Sequence, residues 1–169
     1  IPAAGGEARR MRCNRELFNS WHSFSPNGKW MAYTSNESGQ GEVYVRPFPD
    51  VDSGKWQVST AGGRSPLWSP DGRELFYRNG DAIMAVSVRT EPSFSAEAPK
   101  TLFRGTYLSL SDIRAPLILN SWDISPDSKG FLMIKPPIEA GSGSTSAGPS
   151  KIIVVLNWFE ELKERVPTQ

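Results

Sequence analysis

The chain has 169 residues, enough for one domain with a sizeable core, and its formal net charge of +1 excludes an electrostatic case for nucleic acid or a membrane surface. Six Trp, eight Phe and four Tyr, together with 15 Gly and 14 Pro, favour an all-β domain rich in turns over a helical one. The longest apolar run, residues 152–156, is far too short to span a bilayer, and the single cysteine, Cys13, admits no intrachain disulfide and has no partner set for a metal.

Residues 1–14 begin without an initiator Met or a signal peptide, so the sequence reads as a piece of something longer. Gly5-Gly6 is a turn signal, and residues 7–13 read as a short exposed edge strand. Arg9, Arg10, Arg12 and Arg15 form a basic cluster that serves either as an anion contact or as charge that discourages edge pairing.

From Asn19 the chain falls into repeats. The first, residues 19–60, predicts strands over 21–24, 30–35, 42–48 and 55–59. The second, residues 61–104, predicts strands over 65–69, 74–78, 82–89 and 100–103, with Asn79-Gly80-Asp81 as a tight hairpin and 90–99 as a loop. The third, within 105–157, predicts strands over 121–124, 130–135 and 151–156. An apolar insertion, residues 105–120, precedes it, and a flexible low-complexity loop, 141–148, interrupts it. Asn157 and Glu160 form a capping box for a short helix over 158–166, stopped before Pro167.

One turn recurs in all three repeats: Ser25-Pro26-Asn27-Gly28, Ser69-Pro70-Asp71-Gly72 and Ser125-Pro126-Asp127-Ser128. Pro presets φ, Asp or Asn bonds the backbone two residues on, and Gly takes a φ that other residues resist. Ser128 stands at the Gly position of the third copy, so a longer or irregular turn is expected there. The spacing is 44 residues from Ser25 to Ser69 and 56 from Ser69 to Ser125, the excess being the insertion. Four short antiparallel strands in about 40 residues is the signature of a propeller blade, and closed propellers have about four to eight. The sequence therefore predicts three four-stranded blades, half of a six-bladed ring, with an orphan outer strand at the start and a last blade lacking its own. Two chains would supply six blades as a homodimer; a longer chain would supply them as missing upstream blades.

The segment Trp68-Ser69-Pro70-Asp71-Gly72, with the strand Glu42-Val43-Tyr44-Val45, resembles the TolB-like, WD-repeat-like bacterial β-propellers. From Ala32 on, the chain is similar to the extracytoplasmic propeller at the C-terminus of bacterial transmembrane serine/threonine kinase-like proteins. Tyr44-Val45-Arg46-Pro47-Phe48-Pro49, Gly54-Lys55-Trp56-Gln57-Val58-Ser59 and Val155-Leu156-Asn157-Trp158-Phe159-Glu160-Glu161-Leu162 carry that likeness. The first part, Met11-Arg12-Cys13-Asn14 through Asn19-Ser20-Trp21-His22-Ser23-Phe24, looks more like another TolB-like branch. The resemblance implies a propeller outside the cytoplasm, periplasmic or at the cell surface, that recognises a partner or acts as a scaffold.

No catalytic constellation accompanies it. The kinase glycine-rich loop, strand lysine and catalytic aspartates are missing, as is the Gly-x-Ser-x-Gly elbow of the peptidases that carry similar propellers. The expectation is a chain with no enzyme activity, no cofactor and no metal, which recognises a protein, a peptide or a small ligand; the alternatives are a structural module that pairs with a further copy of itself and an accessory propeller of a larger kinase-like or peptidase-like protein. Asp71 and Asp127 read as turn formers and Asp50 and Asp52 as a solvated turn, and the Trp residues as packing between blades. His22, the one histidine, and Arg46 and Arg64 are the candidate channel or ligand contacts. For His22 the competing reading is a hydrogen-bonded structural residue, and for the arginines strand-end salt bridges.

Overall fold

The computed structural model describes residues 19–108, 121–135 and 152–155. The edge strand expected at 7–13, Cys13 and its neighbouring arginines, most of the insertion, the loop 141–148 and the helix expected at 158–166 lie outside the described residues.

The described residues form three antiparallel sheets. Sheet 1 contains β1 (Asn19–Phe24), β2 (Trp30–Ser35), β3 (Glu42–Pro47) and β4 (Trp56–Gln57), in that order. Sheet 2 contains β5 (Arg64–Trp68), β6 (Glu74–Asn79), β7 (Ala82–Arg89), β8 (Ser95–Ala96) and β9 (Lys100–Arg104). Sheet 3 contains β10 (Trp122–Ile124), β11 (Phe131–Ile134) and β12 (Ile152–Val155). The second repeat has five strands rather than the four expected. Residues 90–99 are not all loop, because the eight-residue β7 outruns β9 and its far end, Val88 and Arg89, pairs with β8.

β1 and β5 are bulged at the same repeat position, between Ser20 and Ser23 and between Arg64 and Leu67. Trp21 and Ser65, 44 residues apart, sit there at φ 57° and 53°. A left-handed residue in a bulge bends the strand locally.

Strand alternation gives each sheet a leading face, turned to the next sheet, and a trailing face, turned to the one before. Trp30, Ala32, Val43 and Val45 on the leading face of sheet 1 pack with Trp68, Leu75, Tyr77, Val86 and Val88 on the trailing face of sheet 2. Trp30, Trp56, Trp68 and Phe94 meet in this junction with ring centroids 5.4 to 6.4 Å apart. Such ring pairs add about 0.5–1.5 kcal/mol each beyond the area they bury. The next junction repeats the plan. Phe76, Ile83 and Ala85 lead from sheet 2 onto Trp122, Phe131 and Met133 of sheet 3. Four of the tryptophans expected between repeats lie there: Trp30, Trp68 and Trp122 are buried, and Trp56 packs against the cluster of Trp30 and Trp68, whereas Trp21 sits in the β1 bulge outside the core clusters and Trp158 lies outside the described residues.

Side chains at one repeat position staple successive sheets. Thr34 on β2 accepts from the Ser65 N–H at 3.1 Å. Its counterpart on β6 is Arg78, which is buried and donates to Ser121 Oγ at 3.1 Å and to the carbonyls of Tyr107 and Leu108 at 3.2 and 2.7 Å. Ser121 is the counterpart of Ser65, so a longer side chain does the same work in the repeat whose connection is longer in sequence.

Candidate functional site

The recurring turn is the same hydrogen-bonded unit in all three sheets. Ser69 Oγ donates to Asp71 Oδ1 at 2.6 Å, and Asp71 Oδ1 accepts from the Arg73 N–H at 3.1 Å. The Glu74 N–H closes the unit on Ser69 Oγ at 2.9 Å. Ser25 and Asn27 make the corresponding bonds at 2.7 and 3.0 Å, and Ser125 and Asp127 at 2.6 and 3.1 Å. Gly28 and Gly72 stand at φ 68° and 69°, and Ser128 adopts φ 59° in the same place. The irregular third turn expected from Ser128 is therefore absent, because the closing bonds hold serine in the left-handed region. The Ser69 hydroxyl and then the Arg73 N–H hold the Asp71 carboxyl below its ordinary range, and Ser125 and Lys129 do the same for Asp127.

Of the three candidate contacts, two converge. The His22 ring stacks on Tyr33 with centroids 6.5 Å apart, and Arg46 Nε donates to the Tyr33 hydroxyl at 2.9 Å. Tyr33 stacks in turn on Tyr44, and Lys55 Nζ lies 5.5 Å from the centre of the Tyr44 ring. Lost hydration against this cluster lowers the pKa of His22 and, for Tyr33, raises it. Arg46 also donates to the Val51 carbonyl at 2.6 Å and stands 3.8 Å from Asp52. Arg64 is not brought there. It is exposed at the start of β5, against Gly41, where a Cβ would lie 3.1 Å from its Nε.

Two arrangements were not anticipated. Glu42 is buried at the start of β3, and its carboxylate accepts from Gln40 Nε2 at 2.6 Å, the Gly62 N–H at 2.9 Å and the Ser59 hydroxyl. It clamps the connection between sheets 1 and 2. Burial, and then this carboxylate, push the Tyr77 phenol up to about 12. The sequence signal was a lone Glu opening an apolar strand, where the counterpart on β7 is Ala82. The second arrangement is a cleft of about 840 Å³ at the outer end of sheet 2, lined among others by Asp71, Arg73, Glu74, Ser87, Arg89 and Glu97. Burial first and then Asp71 raise the Glu74 pKa. Asp71 is already committed to its turn, so the cleft offers polar contacts rather than a matched acid and base. Among the described residues no cluster of three or more His, Cys, Asp or Glu is placed to hold a metal ion, and no helix is long and apolar enough to cross a membrane.

The class these features define is an all-β array of antiparallel sheets stacked face on face, with a repeated Ser-Pro-Asx turn. No family model matches the chain. A curated relative, an uncharacterized protein of Agrobacterium fabrum (strain C58), is 35% identical over 82 residues, 47% of this chain and 26% of the relative. The chain thus spans about a quarter of that relative's length. A solved structure of a candidate TolB from Agrobacterium tumefaciens is similar with a TM-score of 0.48 and 19% identity, over 76% of this chain and 42% of that one.

Proposed function

We propose that the chain is part of a non-catalytic β-propeller, each sheet a blade, that recognises a protein or peptide outside the cytoplasm. One observation carries this reading: the Asn or Asp that recurs in every repeat is bonded into its turn, so the two recurring carboxylates, Asp71 and Asp127, are committed there. That leaves the connecting loops and cleft, which are polar and varied, for contact with a partner. The extracytoplasmic placement rests on the resemblance to TolB-like propellers, and no bond-breaking step is assigned to the chain. The test is a thermal-shift and NMR screen of the full chain against a peptide library. A ligand present at about a hundred times its dissociation constant should stabilise the fold by about 2.7 kcal/mol. A screen without shifts, or hydrolysis of a library peptide by the purified chain, overturns the reading.

The three sheets of the described residues do not close a ring by themselves. The second reading is that the chain self-associates to supply the rest. Exposed apolar side chains on its outermost faces favour it.

A further inference from the structure

All three exposed large apolar side chains among the described residues lie on the two terminal faces: Phe24, 51% exposed, Phe48, 43%, and Leu132, 40%. The register puts Phe24 opposite Met31, on the trailing face of sheet 1. Phe48 follows Tyr44 and Arg46 in alternation and meets Phe24 edge-on at 4.8 Å. Their counterparts in sheet 2 are Trp68 and Val88, both buried in the junction with sheet 1, where the Trp68 indole N–H also bonds the Ser23 carbonyl at 3.1 Å.

Leu132 tells the same story at the other end. Its counterparts Ala32 and Phe76 are 0% and 3% exposed, because the next sheet covers each. Val154 and Ile152 stand opposite Leu132 and Ile134, at the register positions that Val45 and Val43 hold in sheet 1. Leu132 thus holds, on the leading face of sheet 3, the position that in sheets 1 and 2 is covered by the next sheet. Beneath Phe24 and Phe48 the middle of sheet 1's trailing face is covered, with Val51 packed on Met31, Tyr33 and Tyr44. Sheet 2 has the same device, Phe94 from its own outer loop, and there the plug stays inside a complete junction.

We propose that these two faces are the halves of one junction and that a second copy of this chain fills it head to tail. The proposal rests on the propeller reading and names where its ring is completed. Charge supports the second copy as occupant. In the junction of sheets 1 and 2, Lys29 of the turn pairs at 3.1 Å with Glu91 of the following sheet's outer loop. Lys129 holds the place of Lys29 in sheet 3, and the outer loop of sheet 1 carries Asp50. Both are exposed, and neither has an ion pair among the described residues. Each copy thus offers both partners of the missing contact, and two copies used reciprocally close six blades under a two-fold axis.

The test is the mass of the full chain in solution across a concentration series, with Leu132→Asp and Phe24→Asp as variants. Both positions are exposed, and thermal melts verify that each variant folds. The native chain should reach the mass of two chains. Each variant should weaken pairing at least about tenfold, since a charge is buried in an apolar contact. Mixing the two variants should restore a two-chain species, because one native junction survives between them. A native chain that remains single throughout, or a variant that pairs as the native chain does, overturns the proposal. So does a single chain that closes only when neighbouring blades of a longer polypeptide are restored. The peptide screen is independent: a monomer that binds peptide removes the junction alone, and a dimer that binds none removes recognition alone.

Discussion

At the scale of single residues, Asp71 and Asp127 are hydrogen-bonded into their turns, and the titration of Asp71 follows from those bonds. Asp71 is held below its ordinary 3.8 by the Ser69 hydroxyl and then by the Arg73 N–H. A folded-state pKa below the unfolded one contributes stability that is present above the unfolded value and is lost as pH falls through the folded one. Asn27 makes the same two bonds without titrating. Asp71→Asn should therefore fold with its turn intact and lose less stability than the native chain below about pH 4. Urea unfolding at stepped pH measures this, and identical acid dependence would show that the turn does not couple to folding. For Glu42 the geometry is what matters: three donors converge on one buried carboxyl group, so protein hydrogen bonds replace the water it loses on burial.

At the scale of strands and sheets, the 44-residue spacing made much of the architecture legible, since the turn fixes where a strand starts and alternation fixes what it faces. β2 and β7 fall where the apolar pattern puts them, Trp30–Ser35 and Ala82–Arg89. β8 was hidden because two exposed residues, Ser95 and Ala96, have no apolar pattern to read. The site was less legible for a related reason. Tyr33 draws His22 and Arg46 together through a stacked ring and a hydroxyl bond across separate strands, whereas Arg64 lies one sheet further on. Face assignment has an energetic consequence. Leu75, fully buried on a trailing face, should cost about 2–5 kcal/mol when cut to Ala, because its neighbours cannot collapse into the void. Leu132→Ala, on the open leading face of sheet 3, should cost less than about 1 kcal/mol under conditions where the chain is single. Denaturant midpoints compare the two, and equal losses would contradict the face assignment.

At the scale of the whole molecule, the sheets behave as a row of nearest neighbours, and stability should vary along the row. Sheet 2 is packed on both faces, by the cluster around Leu75 and Trp68 on one side and that around Phe76 and Phe131 on the other. Sheet 3 has one packed face and one open to solvent at Leu132. Opening sheet 3 breaks one junction; opening sheet 2 breaks two. Amide exchange in the single chain should therefore be slowest in β6 and β7 and faster in β10 and β11, which belong to the weaker end. Pairing changes the ranking in a definite direction. When a second copy covers Leu132, sheet 3 gains its second junction, and exchange in β11 should slow toward the rate of β6. Concentration alone drives this shift, since a partner that binds only the folded state stabilises what it covers. Exchange in β11 that stays fast once two chains are together would place the contact between copies somewhere other than the leading face of sheet 3.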